Sequence, residues 1–322
     1  MERSFLFSSV LLTLSGLVIT GLVPRRAKAV SALLLVALNA LLTSFVAISV
    51  LLYGPFEASA GHWGLLGDVA IRIDALSAWF ILIVNFLSVN GALFGGGYIR
   101  NHSAATAQLS FHWIQFQLFH AAMLWVCMVQ NSMAFLVVWE LMSLSSLFLL
   151  LFDQKQQAVV QAGIHYLVQM HLGVLSLTVA FVWLFCETGS FDFRALDQFF
   201  GANPNVWLFL LFFVGFGIKA GMVPLHTWLP YAHPAAPSHV SGVMSGVMVK
   251  LGIYGILRVI TFLHADFLLL GEVVLIVSVF TALYGILHAA VHRDVKRMLA
   301  YCTIENVGII GCGIGLGLIG AG

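Results

Sequence analysis

Ten runs of about 20 apolar residues, almost free of charge, leave this chain one class of fold. A hydrocarbon core of roughly 30 Å takes about 20 helical residues to cross, and lipid offers the backbone no hydrogen-bond partners. The runs lie at about 4–23, 29–53, 76–98, 111–130, 131–152, 163–186, 206–229, 239–262, 267–290 and 297–320. The chain is therefore expected to be all-α, a polytopic membrane protein of about ten transmembrane helices. A soluble fold is excluded by its surface: 61% of the residues are apolar and only 8% charged, far from the balance of a water-exposed domain. The junction of the fourth and fifth runs rests on the polar trio Gln130, Asn131 and Ser132. The segment 54–75, with Trp63, Leu65, Asp68, Ile71, Ile73 and Asp74, reads instead as a short hairpin or interfacial loop. The first run lacks a basic n-region and an A-x-A site, so it reads as a retained helix rather than a signal peptide.

Loop charges set the orientation. One set of alternate loops carries Arg25, Arg26, Lys28, Arg100, Lys155, Arg293, Lys296 and Arg297; the other, with the N-terminus, carries Arg3, Arg72, Arg194 and Arg258. The positive-inside rule places the richer set in the cytoplasm. Both termini and the 54–75 loop are then expected on the periplasmic side of a cell (inner) membrane. The net charge of +1 supplies no basic patch, so nucleic acid is not expected as a partner. Cys127, Cys186, Cys302 and Cys312 are singly spaced in apolar runs, which reads as buried, inert thiols with no zinc or iron–sulfur site.

Two basic residues, Lys219 and Lys250, fall inside spans, as do Glu140 and Glu305, with Glu272 nearer a helix end. A charge at the centre of a lipid-facing helix costs about 2.5–3.5 kcal/mol on insertion scales, so such residues turn inward and mark ion or proton paths. Lys219 stands in G-F-G-I-K-A-G-M-V-P. Gly215, Gly217 and Gly221 are expected to weaken that helix, and Pro224 removes a donor and clashes with the preceding turn. The seventh helix should thus be discontinuous, with its freed carbonyls facing a hydrated cavity. After the break, His226, His233 and His239 sit among Pro230, Pro234 and Pro237, which should prevent regular helix. Histidine exchanges protons near neutral pH, which makes these three candidate relays between water and the buried lysines. The prolines enforce no metal-ligand spacing, so no metal site is expected there.

Bland readings stand beside these. Glu140 also reads, with less weight, as a structural carboxylate pairing with a lysine, and the proline–histidine stretch as a solvated turn. His112 and His120 read as helix–helix hydrogen-bond donors before they read as relays; His165, His171 and His288 are further helical histidines. If Glu140 approached Lys219, its charge would alternately hold and release the lysine proton, with Lys250 as the next acceptor.

Several long motifs, in order, resemble one family. They are Trp139–Glu140, the stretch G-I-K-A-G-M-V-P-L-H-T-W-L-P from Gly217 to Pro230, S-G-V-M-V-K-L-G-I-Y-G-I-L-R from Ser245 to Arg258, and D-V-K-R-M-L-A-Y-C-T-I-E-N-V-G-I-I from Asp294 to Ile310. They are similar to the antiporter-like subunits of respiratory complex I, of cation/proton antiporter complexes and of membrane-bound hydrogenases. H-P-A-A-P-S-H-V-S and the pair Glu305–Asn306 look most like the large membrane subunit of formate hydrogenlyase and hydrogenase-4. The resemblance implies a proton half-channel through Glu140, Lys219 and Lys250, with Glu305 opening a second path. It implies an N-terminal three-helix region (1–110), a first five-helix repeat (111–262) and two helices of an incomplete second repeat (263–322). It implies no cofactor in this chain. Partner subunits would carry nickel–iron and iron–sulfur, or flavin and iron–sulfur, centres, and the chain would work with other membrane subunits on protons, and on sodium in the antiporter branch.

The chain departs from the family's pattern at Tyr231, where many relatives carry an acid, and at Gly322, where relatives continue into a second repeat. A truncated product, a split subunit and a fragment are all compatible with that end. Two other functions stay open: a subunit of a multi-chain sodium/proton antiporter, and a non-transporting membrane scaffold for hydrophilic redox subunits.

Overall fold

A computed structural model describes residues 2–62, 64, 67–100, 105–202, 206–264 and 267–321; Trp63 and Leu65 of the expected hairpin lie outside the described residues. Each expected span holds helix, the seventh only as far as Ala220. In order these are α1 (Glu2–Leu22), α2 (Lys28–Tyr53), α3 (Ala75–Arg100), α4 (Thr106–Met128), α5 (Ser132–Leu150), α6 (Gln157–Thr188), a short α7 (Ala195–Ala202), α8 (Val206–Ala220), α9 (Leu229–Ala235), α10 (Ser238–Val243), α11 (Val249–Ile260), α12 (Phe267–Val291) and α13 (Val295–Ala321). A π-helical turn, Met244–Met248, joins α10 to α11 into one span. Among the described residues eight helices are long and apolar enough to cross a membrane, and α8 is a shorter apolar helix. The outward side chains are apolar, Leu34, Leu41, Phe86, Leu175 and Phe280 among them. In water such a surface would aggregate; in a bilayer it is the solvated face.

The hairpin expected at 54–75 is present. Strands β1 (Phe56–His62) and β2 (Asp68–Ile73) pair antiparallel, Phe56 opposite Ile73 and Ser59 opposite Ala70. The second strand also meets the α4–α5 junction: Ile71 bridges Val129, and the Gln130 N–H donates to the Ala70 carbonyl at 2.9 Å. The polar trio thus ends one helix and starts the next. Asn131, with extended backbone, caps α5 by accepting from the Met133 and Ala134 N–H groups, both at 3.1 Å. Asn131→Ala should cost about 1 kcal/mol, read as a lower midpoint of thermal unfolding in detergent.

Contacts divide the chain into two compact units, residues 1–159 with 236–247, and residues 160–235 with 248–322. In the first unit, α1 packs on α2 and α4, α2 on α3, α4 on α5, and α10 on α3. Polar side chains join these helices at depth. Asn85 of α3 donates from Nδ2 to the Thr43 hydroxyl (2.9 Å), the Ser44 hydroxyl (2.8 Å) and the Ala40 carbonyl (3.1 Å), while its Oδ1 lies 3.0 Å from His120 Nε2. Gln117 donates to the Thr20 hydroxyl at 2.7 Å. Such bonds average about 0.6 kcal/mol each in a bilayer, where hydrophobic attraction between helices is absent.

In the second unit, small residues set the packing. Gly285 of α12 lies against the Glu305 backbone, and Gly308 of α13 against that of Ala282. On α11, a Cβ at Gly252 would sit 2.6 Å from both Ala220 N and Phe216 O of α8. Backbone-on-backbone approach of this kind maximises dispersion contact where lipid gives no hydrophobic drive.

Four expectations need correcting. Pro230 and Pro234 do not prevent helix: both lie inside α9. Pro230 falls in the first turn, where its missing N–H would have had no partner, and Pro234 falls at the far end of only seven residues. Lys28 and Arg258 are not loop charges. Lys28 opens α2, is buried, and donates to the Thr20 and Gly21 carbonyls at 3.1 and 3.2 Å, closing the last turn of α1. Arg258 lies in α11, buried, with Nη2 donating to the Tyr254 hydroxyl at 3.1 Å. Finally, Cys127 is buried but Cys186 is exposed, and Cys302 and Cys312 are intermediate; a thiol is apolar enough to face lipid.

Candidate functional site

The seventh expected span breaks at one residue. α8 runs through Gly215 and Gly217 without interruption and stops at Ala220. Gly215 serves packing instead: a Cβ there would come within 2.6 Å of Leu177 Cγ on α6. The break is at Gly221, whose φ of 76° is the left-handed region that favours glycine. Two bonds complete a Schellman ending, Met222 N–H to the Gly217 carbonyl (3.0 Å) and Gly221 N–H to the Ile218 carbonyl (3.2 Å). Trp228 Nε1–H adds a second bond to the Ile218 carbonyl at 2.8 Å, and Val223 N–H donates to the Thr281 hydroxyl at 3.1 Å. At these groups the expected hydrated cavity is unnecessary, because protein supplies the partners.

Lys219 occupies the last turn of α8 and is 1% exposed. That position suits a cation, since the carbonyl end of a helix carries partial negative charge. Its ammonium donates to the Tyr166 hydroxyl and lies the same 3.4 Å from Met170 Sδ; it stands 5.8 Å from the Tyr166 ring centre. Tyr166, on α6 and fully buried, donates in turn to Met248 Sδ at 3.7 Å. Met248 is the last residue of the π turn, and Lys250 follows two positions later at the start of α11, half-buried. Tyr166 escaped the sequence reading because a tyrosine in an apolar run looks like core. The π turn had a faint signal in the two small pairs Ser241–Gly242 and Ser245–Gly246.

The three loop histidines have separate surroundings. His226, buried, meets the Tyr284 ring edge-on at 4.5 Å between centroids, and Tyr284 stacks on His288 at 3.9 Å. His233, buried in α9, lies within electrostatic reach of Lys250 and Lys296, and Lys296 donates to the neighbouring Pro234 carbonyl at 3.4 Å. His239 belongs to the other unit, where its Nε2 sits 2.9 Å from His112 Nε2 and its ring fills the space that a side chain on Gly95 would take. One of those two nitrogens must donate and the other accept, so the pair holds a single proton between its rings. His112 and His120 therefore both bond across helices. Glu140 in α5 is half-buried and belongs to the first unit; Glu305 in α13 is half-buried in the second. Lys219 thus has a titratable neighbour, the Tyr166 hydroxyl, within hydrogen-bond reach.

The comparisons with known proteins agree in class. A family model described as NADH:quinone oxidoreductase/Mrp antiporter, TM, matches residues 129–321. The chain is 40% identical over 259 residues to hydrogenase-4 component B of Escherichia coli (strain K12), covering 79% of this chain and 38% of that protein. Among solved structures it superposes on a chain of the Mrp complex from Dietzia sp. DQ12-45-1b with a TM-score of 0.84 and 25% identity, over 97% of this chain and 34% of that one. A chain of the membrane-bound sulfane sulfur reductase, an archaeal respiratory membrane complex, shares the fold with a TM-score of 0.86 at 21% identity, over 98% of this chain and 64% of that one. The chain spans about two fifths of the length of the curated relatives it matches.

Proposed function

From the premise that this chain belongs to the NADH:quinone oxidoreductase/Mrp antiporter membrane family, we propose that it is the proton-carrying membrane subunit of a redox-driven ion pump of the hydrogenase or complex I type. Glu140, Lys219 and Lys250 are its proton-exchanging groups. His226, His233 and His239 serve uptake from the cytoplasmic side, and Glu305 begins a second path. The supporting observation is Lys219 itself, held almost without solvent contact at the end of a broken helix. A lysine is costly there and contributes nothing to packing that leucine would not. Hydrophilic partners with nickel–iron and iron–sulfur, or flavin and iron–sulfur, centres supply the driving energy, and further membrane subunits flank the chain in the inner membrane with both termini periplasmic.

Glu140→Gln tests the reading in the assembled complex reconstituted into vesicles. Proton flux is expected to fall on the order of 10²-fold, the lower end of the loss typical of removing a positioned proton carrier. A scaffold that anchors redox subunits without transport would keep wild-type flux. The likeness to the Mrp complex favours a second reading, a subunit of a multi-chain sodium/proton antiporter. Uptake of radioactive sodium driven by an imposed pH gradient, with no redox substrate, would establish it.

A further inference from the structure

Beside Lys219 in the second unit stands a group the proposed path has not used. We infer that the Tyr166 hydroxyl is the proton shuttle between Lys219 and Lys250, a role that rests on the lysine reading above. Tyr166 is fully buried, and its oxygen is the acceptor for the Lys219 ammonium at 3.4 Å. Its own O–H points at Met248 Sδ, 3.7 Å away, on the turn that leads directly into Lys250. The hydroxyl thus touches one lysine and the side chain of a residue two positions before the other.

Three features support a shuttle over a plain anchor. First, the ring is held from the side by Trp228, edge-on at 5.2 Å between centroids, and Trp228 is itself tied to the Ile218 carbonyl one residue before Lys219. A fixed oxygen suits proton transfer, which falls steeply with misplacement. Second, the acceptor of the tyrosine proton is a thioether, a weak acceptor that holds the O–H in place without taking the proton. Third, the π turn inserts one residue, and one residue rotates a helix by about 100°. It sets Met248 toward Tyr166 while α11 starts anew with Lys250 beyond it, and π turns recur at functional sites.

The step balances without a charged phenol. The Lys219 ammonium gives a proton to the Tyr166 oxygen as the tyrosine's own proton leaves for an internal water, and that water protonates the neutral amine of Lys250. Lys219 ends neutral, Lys250 ends charged, and Tyr166 is unchanged.

The test uses the assembled complex in vesicles, with Tyr166→Phe, Lys219→Ala and a series of fluorotyrosines of rising phenol acidity placed at position 166. Expected are a fall in flux on the order of 10²-fold for Tyr166→Phe, with a lower unfolding midpoint because the Lys219 ammonium loses an acceptor, and a flux at fixed pH that moves in the order of phenol acidity. Wild-type flux in Tyr166→Phe with loss in Lys219→Ala overturns the shuttle and leaves the lysine path standing. Wild-type flux in both overturns both. Loss in Tyr166→Phe with no movement along the fluorotyrosine series makes the hydroxyl an anchor for the lysine and also overturns the shuttle. Should Tyr166→Phe fail to assemble, the fluorotyrosines, which keep the hydroxyl, decide the matter alone.

Discussion

Lys219→Ala is expected to lower proton flux on the order of 10²-fold while the helices remain assembled. The two halves of that expectation come from the same arithmetic. Holding a lysine at membrane depth costs about 2.5–3.5 kcal/mol, and the contacts around Lys219 return a comparable amount. The end of α8 offers a favourable dipole, worth about 0.3–1 kcal/mol near a surface and up to ~2 when partly buried, and the Tyr166 hydroxyl adds a hydrogen bond to a charged donor of about 1.5–3 kcal/mol. The sum comes close to balance, so the ammonium itself adds little to stability, and the moderate fall in unfolding midpoint expected comes from the space its buried stem leaves. Ala220, Met222 and Trp228, all buried, continue to hold the Gly221 turn. A stable variant with wild-type flux in reconstituted vesicles would remove Lys219 from the path.

Gly252→Val should do the opposite, reducing stability first and flux as a consequence. The space for a side chain at 252 is taken by Ala220 N and Phe216 O, both 2.6 Å from where a Cβ would sit. These are backbone atoms in the turn of α8 that carries Lys219, so no rotamer change relieves the clash and the two helices must separate. Overpacking of a tight core costs about 1–3 kcal/mol, and here it also displaces the Lys219 ammonium from Tyr166. A markedly lower melting temperature in detergent, with flux reduced in parallel, is the expected result. Gly242→Ala provides the control. Nothing lies within 4 Å of a Cβ at 242, and alanine in place of a helical glycine is favourable by about 0.5–1 kcal/mol. Equal damage from both substitutions would mean that the α8–α11 contact is not the tight one.

Much of the architecture was legible in single residues. Asn131 ends one helix and starts another because an asparagine beside an apolar run can satisfy two N–H groups that the helix cannot. Gly221 breaks the seventh span because only glycine takes its φ without strain. Gly215 does not break the helix, for an equally local reason. A glycine is the signal both for a break and for a close helix contact, and only the presence of Leu177 on another helix separates the two. A charge near the end of a run looks like loop, whereas a long side chain can reach back to the end of the preceding helix, as Lys28 does, or to a hydroxyl one turn away, as Arg258 does.

What the sequence by itself determined is the solvent and the elements. Apolar runs of that length can only be helices in lipid, and a lysine within one of them must face protein, because the bilayer penalises the alternative. What only the tertiary structure decided is which groups those residues face. Tyr166 lies 53 positions from Lys219 and 82 from Met248, and His112 lies 127 from His239. Helical periodicity carries information over a few turns; the contact of one helix with another depends on close packing among residues far apart in the chain. The lysine was visible in the sequence as a charge out of place, and the hydroxyl that gives it a neighbour came into view only when α6, α8 and α11 were set side by side.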